Sequence, residues 1–284
     1  MLTVTGPNAN PITLVGLRKY SSPLCEPTTG AGCPPDGIPV FASIFGQMPV
    51  ANSSYNSFQT LVNQRLAHGL QFLAAYTWSR SIDNASSFEN SVNPIDPRKS
   101  RALSLFDARH RLVVSEYWRV PDWRISNWRR HLANGWALSA IFTLQSGFPI
   151  RLTSNDDQEL MSSFDFETAG QPDQIAPFRR LHPQKSGGYY FDPSSFVAAS
   201  LGQIGNAPRT ICCGPGIANL DLAVHKIVPV RESMNLEFRT EIFNVFNHTQ
   251  FFSPDGNITD GASFGQVSRA RHPRLTQLAL RFTF

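Results

Sequence analysis

Residues 70–80 read LQFLAAYTWSR, and their larger apolar side chains occupy every second position. One face of the segment collects Leu70, Phe72, Ala74, Tyr76 and Trp78, whereas Gln71, Leu73, Ala75, Thr77 and Ser79 lie on the other. A period of two is the pattern of a β-strand whose two faces meet different surroundings. This segment therefore predicts a strand with one apolar face and one mixed face.

Further segments of the chain share this alternation or the composition of strands. Their lengths are near the roughly 9 to 11 residues of a strand that crosses a membrane in a β-barrel. The strongest are 55–66, 109–120, 135–146, 217–228, 234–245 and 274–284, and a weaker candidate is 39–47. The pattern predicts an all-β, antiparallel transmembrane barrel segment of about seven or eight strands.

The bulk composition agrees with this fold class and excludes others. Of the 284 residues, 16% are charged, against about 25% in an ordinary soluble domain. Mean hydropathy is -0.21, and no run approaches the roughly 18 apolar residues of a transmembrane helix. The formal net charge of +4 is dispersed, with small clusters at 124–130 and 269–274, so no nucleic-acid partner is expected.

The connections between the predicted strands alternate in length. Those at 67–69, 121–134 and 229–233 are the shorter ones, and those at 81–108, 147–216 and 246–273 are long. In outer-membrane barrels the periplasmic turns are short and the extracellular loops are long. We therefore expect strands and long extracellular loops over 55–284, and a partial extracellular loop with a possible first strand over 1–54.

Several short motifs, in this order and spacing, resemble one family. They are 55–59 (YNSFQ), 69–81 (GLQFLAAYTWSRS), 106–113 (FDARHRLV), 135–136 (GW), 145–149 (QSGFP), 239–248 (RTEIFNVFNH) and the terminal Phe284. Together they resemble the C-terminal part of the Oar-like TonB-dependent outer-membrane transporter barrels of acidobacterial type, over about residues 52–284. The resemblance implies the cell outer membrane as location and a barrel of 22 strands, of which this chain would hold an open or incomplete part.

The same resemblance implies partners. The terminal strand is similar to the signal that the barrel assembly machinery reads, with Gln277, Phe282 and Phe284 in place and Ala279 where glycine is usual. Full-length members of the family carry a plug and a TonB-contacting segment, which this chain lacks. The TonB system would therefore act only through the missing part, and the chain alone would not transport its unidentified solute.

Charged residues alternate on one face of segment 234–245. Glu237, Arg239 and Glu241 share that face, and Arg281 is expected beside them on the last strand. A charge that faces lipid costs about 2 to 4 kcal/mol at the midplane, so we expect these four to face the lumen. Two interpretations stay open: a polar wall against which a plug or solute packs, or a ladder of ion pairs that fills the interior.

Other residue patterns carry little chemistry. Cys25 and Cys33 are candidates for a disulfide that staples a loop, since the envelope is oxidising, while Cys212 and Cys213 could each pair elsewhere. The seven histidines form no triad pattern and no ligand spacing. We expect no enzyme activity, no catalytic residue, no metal and no cofactor.

The start of the chain lacks the basic and apolar regions of a signal peptide. We therefore expect these residues to be the C-terminal piece of a longer precursor. Two alternatives remain: a small self-contained barrel that serves as an adhesin or structural protein, and a soluble carbohydrate-binding β-sandwich.

Overall fold

Seven long strands dominate the computed structural model of the chain. They are β1 (Ser53–Ala67), β2 (Leu70–Asp83), β3 (His110–Arg119), β4 (Trp136–Gln145), β5 (Ile217–Arg231), β6 (Met234–Phe243) and β7 (Leu275–Thr283). All seven strongly predicted segments form strands. The structure describes residues 3–5, 11–13, 50–86, 96–125, 128–156, 158, 170–201, 203–231 and 234–284. The weaker candidate at 39–47 and the pair Cys25 and Cys33 lie outside these residues.

The strands form one antiparallel sheet in the order in which they follow along the chain. Each pairs with its sequence neighbour, from β1 at one edge to β7 at the other. Within the described residues β1 and β7 do not pair with each other, so the sheet is not closed. A sandwich needs two sheets packed face to face, so this single continuous meander shows that the soluble sandwich alternative is wrong.

The strand register separates the side chains into two faces, because residues directly opposite each other point to the same side. We call one side the apolar face; it includes Phe58, Val62, Phe72, Tyr76, Leu112, Val114, Leu138, Phe142, Leu220, Leu222, Phe238, Ile242, Leu278, Leu280 and Phe282. We call the other the polar face; it includes Asn63, Gln71, Ser115, Tyr117, Ser139, Asn219, Asp221, His225, Glu237, Arg239, Glu241, Gln277 and Arg281.

Two glycines allow tight turns at the end of the sheet that carries the shorter connections. Gly69 and Gly135 have φ angles of 81° and 80°. The carbonyl oxygen of each accepts a hydrogen bond from a neighbouring strand, Arg119 N–H at 2.7 Å and Ile227 N–H at 2.8 Å. Left-handed backbone is costly for other residues, so glycine keeps these turns compact. A short α-helix, Arg129–Ala133, lies in the connection between β3 and β4.

The three long connections fold together at the opposite end of the sheet into what we call the loop cap, residues 84–109, 146–216 and 244–274 where described. Its regular elements are short strand pairs, Ile150–Arg151 with Thr210–Ile211, Asp173–Gln174 with Phe196–Val197, and Ala102–Leu103 with the end of β2. Four 3-10 helices join them: Pro97–Ser100, Pro183–Lys185, Pro193–Ser195 and Ile258–Ser263. A separate hairpin pairs Thr3–Thr5 with Pro11–Thr13.

The loop cap has a hydrophobic core of its own. Phe191 is fully buried, and the rings of Phe264 and Phe196 meet it edge-on at centroid distances of 5.2 and 5.8 Å. Ile150, Leu152, Tyr190, Ala207 and Ile211 complete the buried cluster. Among the described residues, no helix is long and apolar enough to span a membrane.

Candidate functional site

The polar face of β6 and β7 brings the four predicted wall residues together. Arg281 lies directly opposite Glu237 in the register, while Arg239 lies opposite the small side chain of Ala279. Arg239 also forms an ion pair with Glu241 along the same strand at 2.8 Å. The four residues thus share one surface, and both interpretations, a docking wall and an ion-pair ladder, stay predictions.

A histidine that the sequence pattern did not single out joins this wall. His225 on β5 contacts Glu237 Oε1 through Nδ1 at 3.1 Å, and its Nε2 lies 3.4 Å from Ser139 Oγ on β4. The three residues come from three strands and are separated by 86 and 12 positions in the chain. No short motif in the sequence therefore predicts the cluster. Only the alternation of polar residues on each strand could have placed them on one face.

The connectivity of Ser139, His225 and Glu237 is that of a hydrolytic triad, but its surroundings are not. Catalysis of acyl transfer needs free N–H groups aimed at the developing oxyanion. Ser139 lies in the middle of β4, which is paired on both sides with β3 and β5. The backbone N–H groups around it therefore bond in the ladder, and the cluster fits a polar wall better than a catalytic centre.

The terminal strand places the predicted assembly residues on both faces. Gln277 lies on the polar face opposite Glu241, and Phe282 lies on the apolar face opposite Leu236. The ring of Phe284 stacks on that of Phe282 at a centroid distance of 6.2 Å. The last residues therefore form an exposed aromatic pair at the end of the sheet that carries the shorter connections.

A buried ion pair fastens the loop cap to the sheet. Arg209 and Asp83 have side chains only 1% and 3% exposed, and the guanidinium contacts the Asp83 carboxylate directly. Arg209 also donates from Nε to Ser100 O at 3.0 Å and from Nη1 to Ser86 Oγ at 3.1 Å. One side chain therefore ties the loop at 147–216 to the loop at 81–108 and to the end of β2.

A cleft of about 460 Å³ opens within the loop cap. It is lined by Leu105, Phe148, Pro149, Arg151, Thr153, Ser253, Pro254, Asp255, Gly256 and Asn257. Gly256 is required there because a Cβ would lie 1.8 Å from the carbonyl oxygen of Arg151. The volume falls within the roughly 300 to 1,000 Å³ of small-ligand pockets, so the cleft is a candidate ligand site in the described part of the cap.

Two ionisable groups of the cap have a pKa that desolvation raises above its ordinary value. Burial raises the pKa of Tyr190, whose hydroxyl donates to Cys213 O at 2.9 Å. Burial and the neighbouring Asp255 carboxylate raise the pKa of Asp260. Close to Tyr190, Cys212 and Cys213 are joined to each other, whereas the sequence left their partners open.

The chain was also compared with known proteins. No curated protein matches it. A family model described as an outer membrane beta barrel domain matches residues 4–277. This span includes the loop cap and nearly all of the sheet, and its alternating apolar face is what a lipid-facing barrel surface requires. The chain therefore belongs to the outer membrane β-barrel domain family, and its place is the cell outer membrane.

Proposed function

We propose that the chain is the C-terminal barrel part of a TonB-dependent outer-membrane receptor of the Oar-like type. In this proposal the seven strands are part of a larger barrel. The plug and the TonB-contacting segment belong to sequence outside these 284 residues, so the chain alone does not transport. The resemblance of the motifs between residues 52 and 284 supports the receptor type.

The open sheet is the observation that carries the incomplete-barrel part of the proposal. β1 and β7 each pair on one side only within the described residues. Leu61 on β1 and Leu278 on β7 are 66% and 76% exposed. Unpaired strand edges invite association with other strands, and natural barrels avoid them by closing. Additional strands between β7 and β1 would satisfy both edges.

The polar face supports a wide lumen. A barrel of about eight strands is just wide enough for its own side chains to fill. Here the polar face carries Arg239, whose side chain is 46% exposed, together with Glu237 and Glu241, which are 26% and 21% exposed. Such a surface needs water, a plug or a solute against it. In the proposal it contacts the plug, the cleft of the loop cap receives the solute, and no residue is catalytic.

The genomic DNA upstream of Met1 tests the proposal most directly. We expect the reading frame to continue upstream through a plug and a signal peptide. An in-frame stop codon next to an unrelated gene would overturn the proposal and favour the small self-contained barrel.

A further inference from the structure

The connection between β3 and β4 has a composition unlike that of the two other short connections. It carries Trp123 and Trp128, which are 63% and 67% exposed, and Leu132, which is 62% exposed. Arg124, Arg129 and Arg130 are exposed between them. Asp122 is the acidic residue in this segment, and its carboxylate accepts a hydrogen bond from Gly135 N–H at 3.2 Å. Exposed aromatics therefore alternate with a surplus of positive charge.

Contacts at the end of the connection hold it on the apolar side of the sheet. Trp136 and Lys226 are register partners on the apolar face. Trp136 Nε1 donates to Leu132 O at 2.8 Å, and Lys226 Nζ donates to the same oxygen at 3.1 Å. Lys226 also contacts Asn134 O and lies 4.9 Å from the centre of the Trp136 ring. The backbone of 132–134 is thus anchored beside the lipid-facing side chains and not beneath the lumen.

The described residues of the connection also bond to one another. The Asn134 side chain accepts from Trp123 N–H at 2.8 Å and donates to Trp123 O at 3.0 Å. These two hydrogen bonds fix the backbone of Trp123, and with it the start of the segment that carries Arg124. They therefore position Trp123 and Arg124, while Trp128, Arg129 and Arg130 lie at the start of the short helix Arg129–Ala133, at the level where the apolar face ends.

Tryptophan prefers the headgroup level of a bilayer, and each arginine near an anionic surface gains about 1 kcal/mol. Because the shorter connections are expected on the periplasmic side, the lipids within reach are the phospholipids of the inner leaflet. We propose that the β3–β4 connection binds anionic phospholipid there, with Arg124, Arg129 and Arg130 contacting the phosphates and Trp123 and Trp128 inserted between headgroups. The proposal rests on membership of the barrel family and on this orientation, not on the receptor type.

Native mass spectrometry of the full chain, purified in detergent with defined lipids added, tests the proposal. We expect the chain to retain phosphatidylglycerol in preference to phosphatidylcholine. This preference should decrease as the salt concentration rises. The variant R124Q/R129Q/R130Q should lose affinity for phosphatidylglycerol by roughly fivefold per arginine at low salt. The matched control R98Q/K99Q/R101Q removes three exposed basic residues from the loop cap at the other end of the sheet, and should retain wild-type affinity.

Equal losses in both triple variants, or equal retention of the two phospholipids by the wild type, would overturn the proposal. Preference for lipopolysaccharide over phosphatidylglycerol would also overturn it, because that lipid belongs to the outer leaflet. If R124Q/R129Q/R130Q does not fold, a fluorescence measurement on the wild-type chain still tests the proposal. Its tryptophan fluorescence should be quenched more by brominated phosphatidylglycerol than by brominated phosphatidylcholine, and equal quenching would refute the proposal.

Discussion

At the scale of single residues, the loop cap depends on Arg209 more than on any predicted site residue. Its guanidinium joins two loops and the end of β2 through buried contacts. The sequence could not reveal this role, because Asp83 and Arg209 are 126 positions apart and an arginine in a long loop normally faces water. Nor could it reveal that His225 would lie between Ser139 and Glu237, since that depends on the register of three strands.

The substitution D83N should loosen the loop cap. Removing one partner of a buried ion pair leaves the other charge uncompensated and costs about 3 to 5 kcal/mol. We expect faster amide hydrogen exchange over residues 203–216 in this variant.

The matched control for D83N is D96N, which removes the carboxylate of an exposed pair with Arg98. Exposed pairs contribute little, so exchange over 203–216 should stay at the wild-type rate. Unchanged exchange in D83N itself would show that the buried pair does not hold the cap to the sheet.

At the scale of elements, the seven strands were predictable and the loop cap was not. Alternation is a local property, so each strand could be recognised from its own sequence. The observed strands differ mainly at their ends: β2 continues to Asp83 and β5 to Arg231. The long connections lack such a period, and their core comes from scattered residues such as Ile150, Phe191 and Phe264. The sequence therefore predicted 147–216 only as a long loop, without the core that its described residues form.

The substitution G135A should destabilise the fold at the turn into β4. The loss should exceed the strain of placing alanine in left-handed backbone. A Cβ at Gly135 would lie 2.3 Å from Ile227 O, so the paired backbone of β5 would have to move. Gly187 has a φ angle of 62°, but a Cβ added there would meet no atom within 4 Å. G187A should therefore lose only the roughly 1 to 2 kcal/mol of left-handed strain. Urea unfolding in detergent micelles measures both variants, and equal midpoints would contradict this account.

The substitution F284A should reduce assembly into the outer membrane several-fold. The stacked rings of Phe282 and Phe284 form the exposed end of β7, where the sequence predicts the assembly signal. L280A serves as control, because Leu280 lies on the same apolar face but outside that signal. Immunoblots of outer-membrane fractions compare the two. Similar losses would mean that Phe284 contributes only contact with lipid.

At the scale of the whole molecule, the open sheet predicts behaviour that a closed barrel does not show. Closed barrels stay folded in unboiled gel samples and migrate faster than their boiled form. Because β1 and β7 do not pair with each other within the described residues, we expect the chain alone to show no such shift and to form larger species as its concentration rises. A clear shift on boiling, in a monomer, would instead support the small self-contained barrel.

In the orientation that the sequence predicts, with the long connections extracellular, the loop cap is the part of the protein at the cell surface. Its core joins Ile150, Phe191 and Phe264, so neighbouring patches of its surface come from distant parts of the chain. Antibodies or bacteriophages that bind this surface would recognise a discontinuous epitope that exists only in the folded cap. Synthetic loop peptides would therefore compete poorly with the intact protein for binding to them. A vaccine or affinity reagent aimed at this protein should therefore be raised against the intact fold.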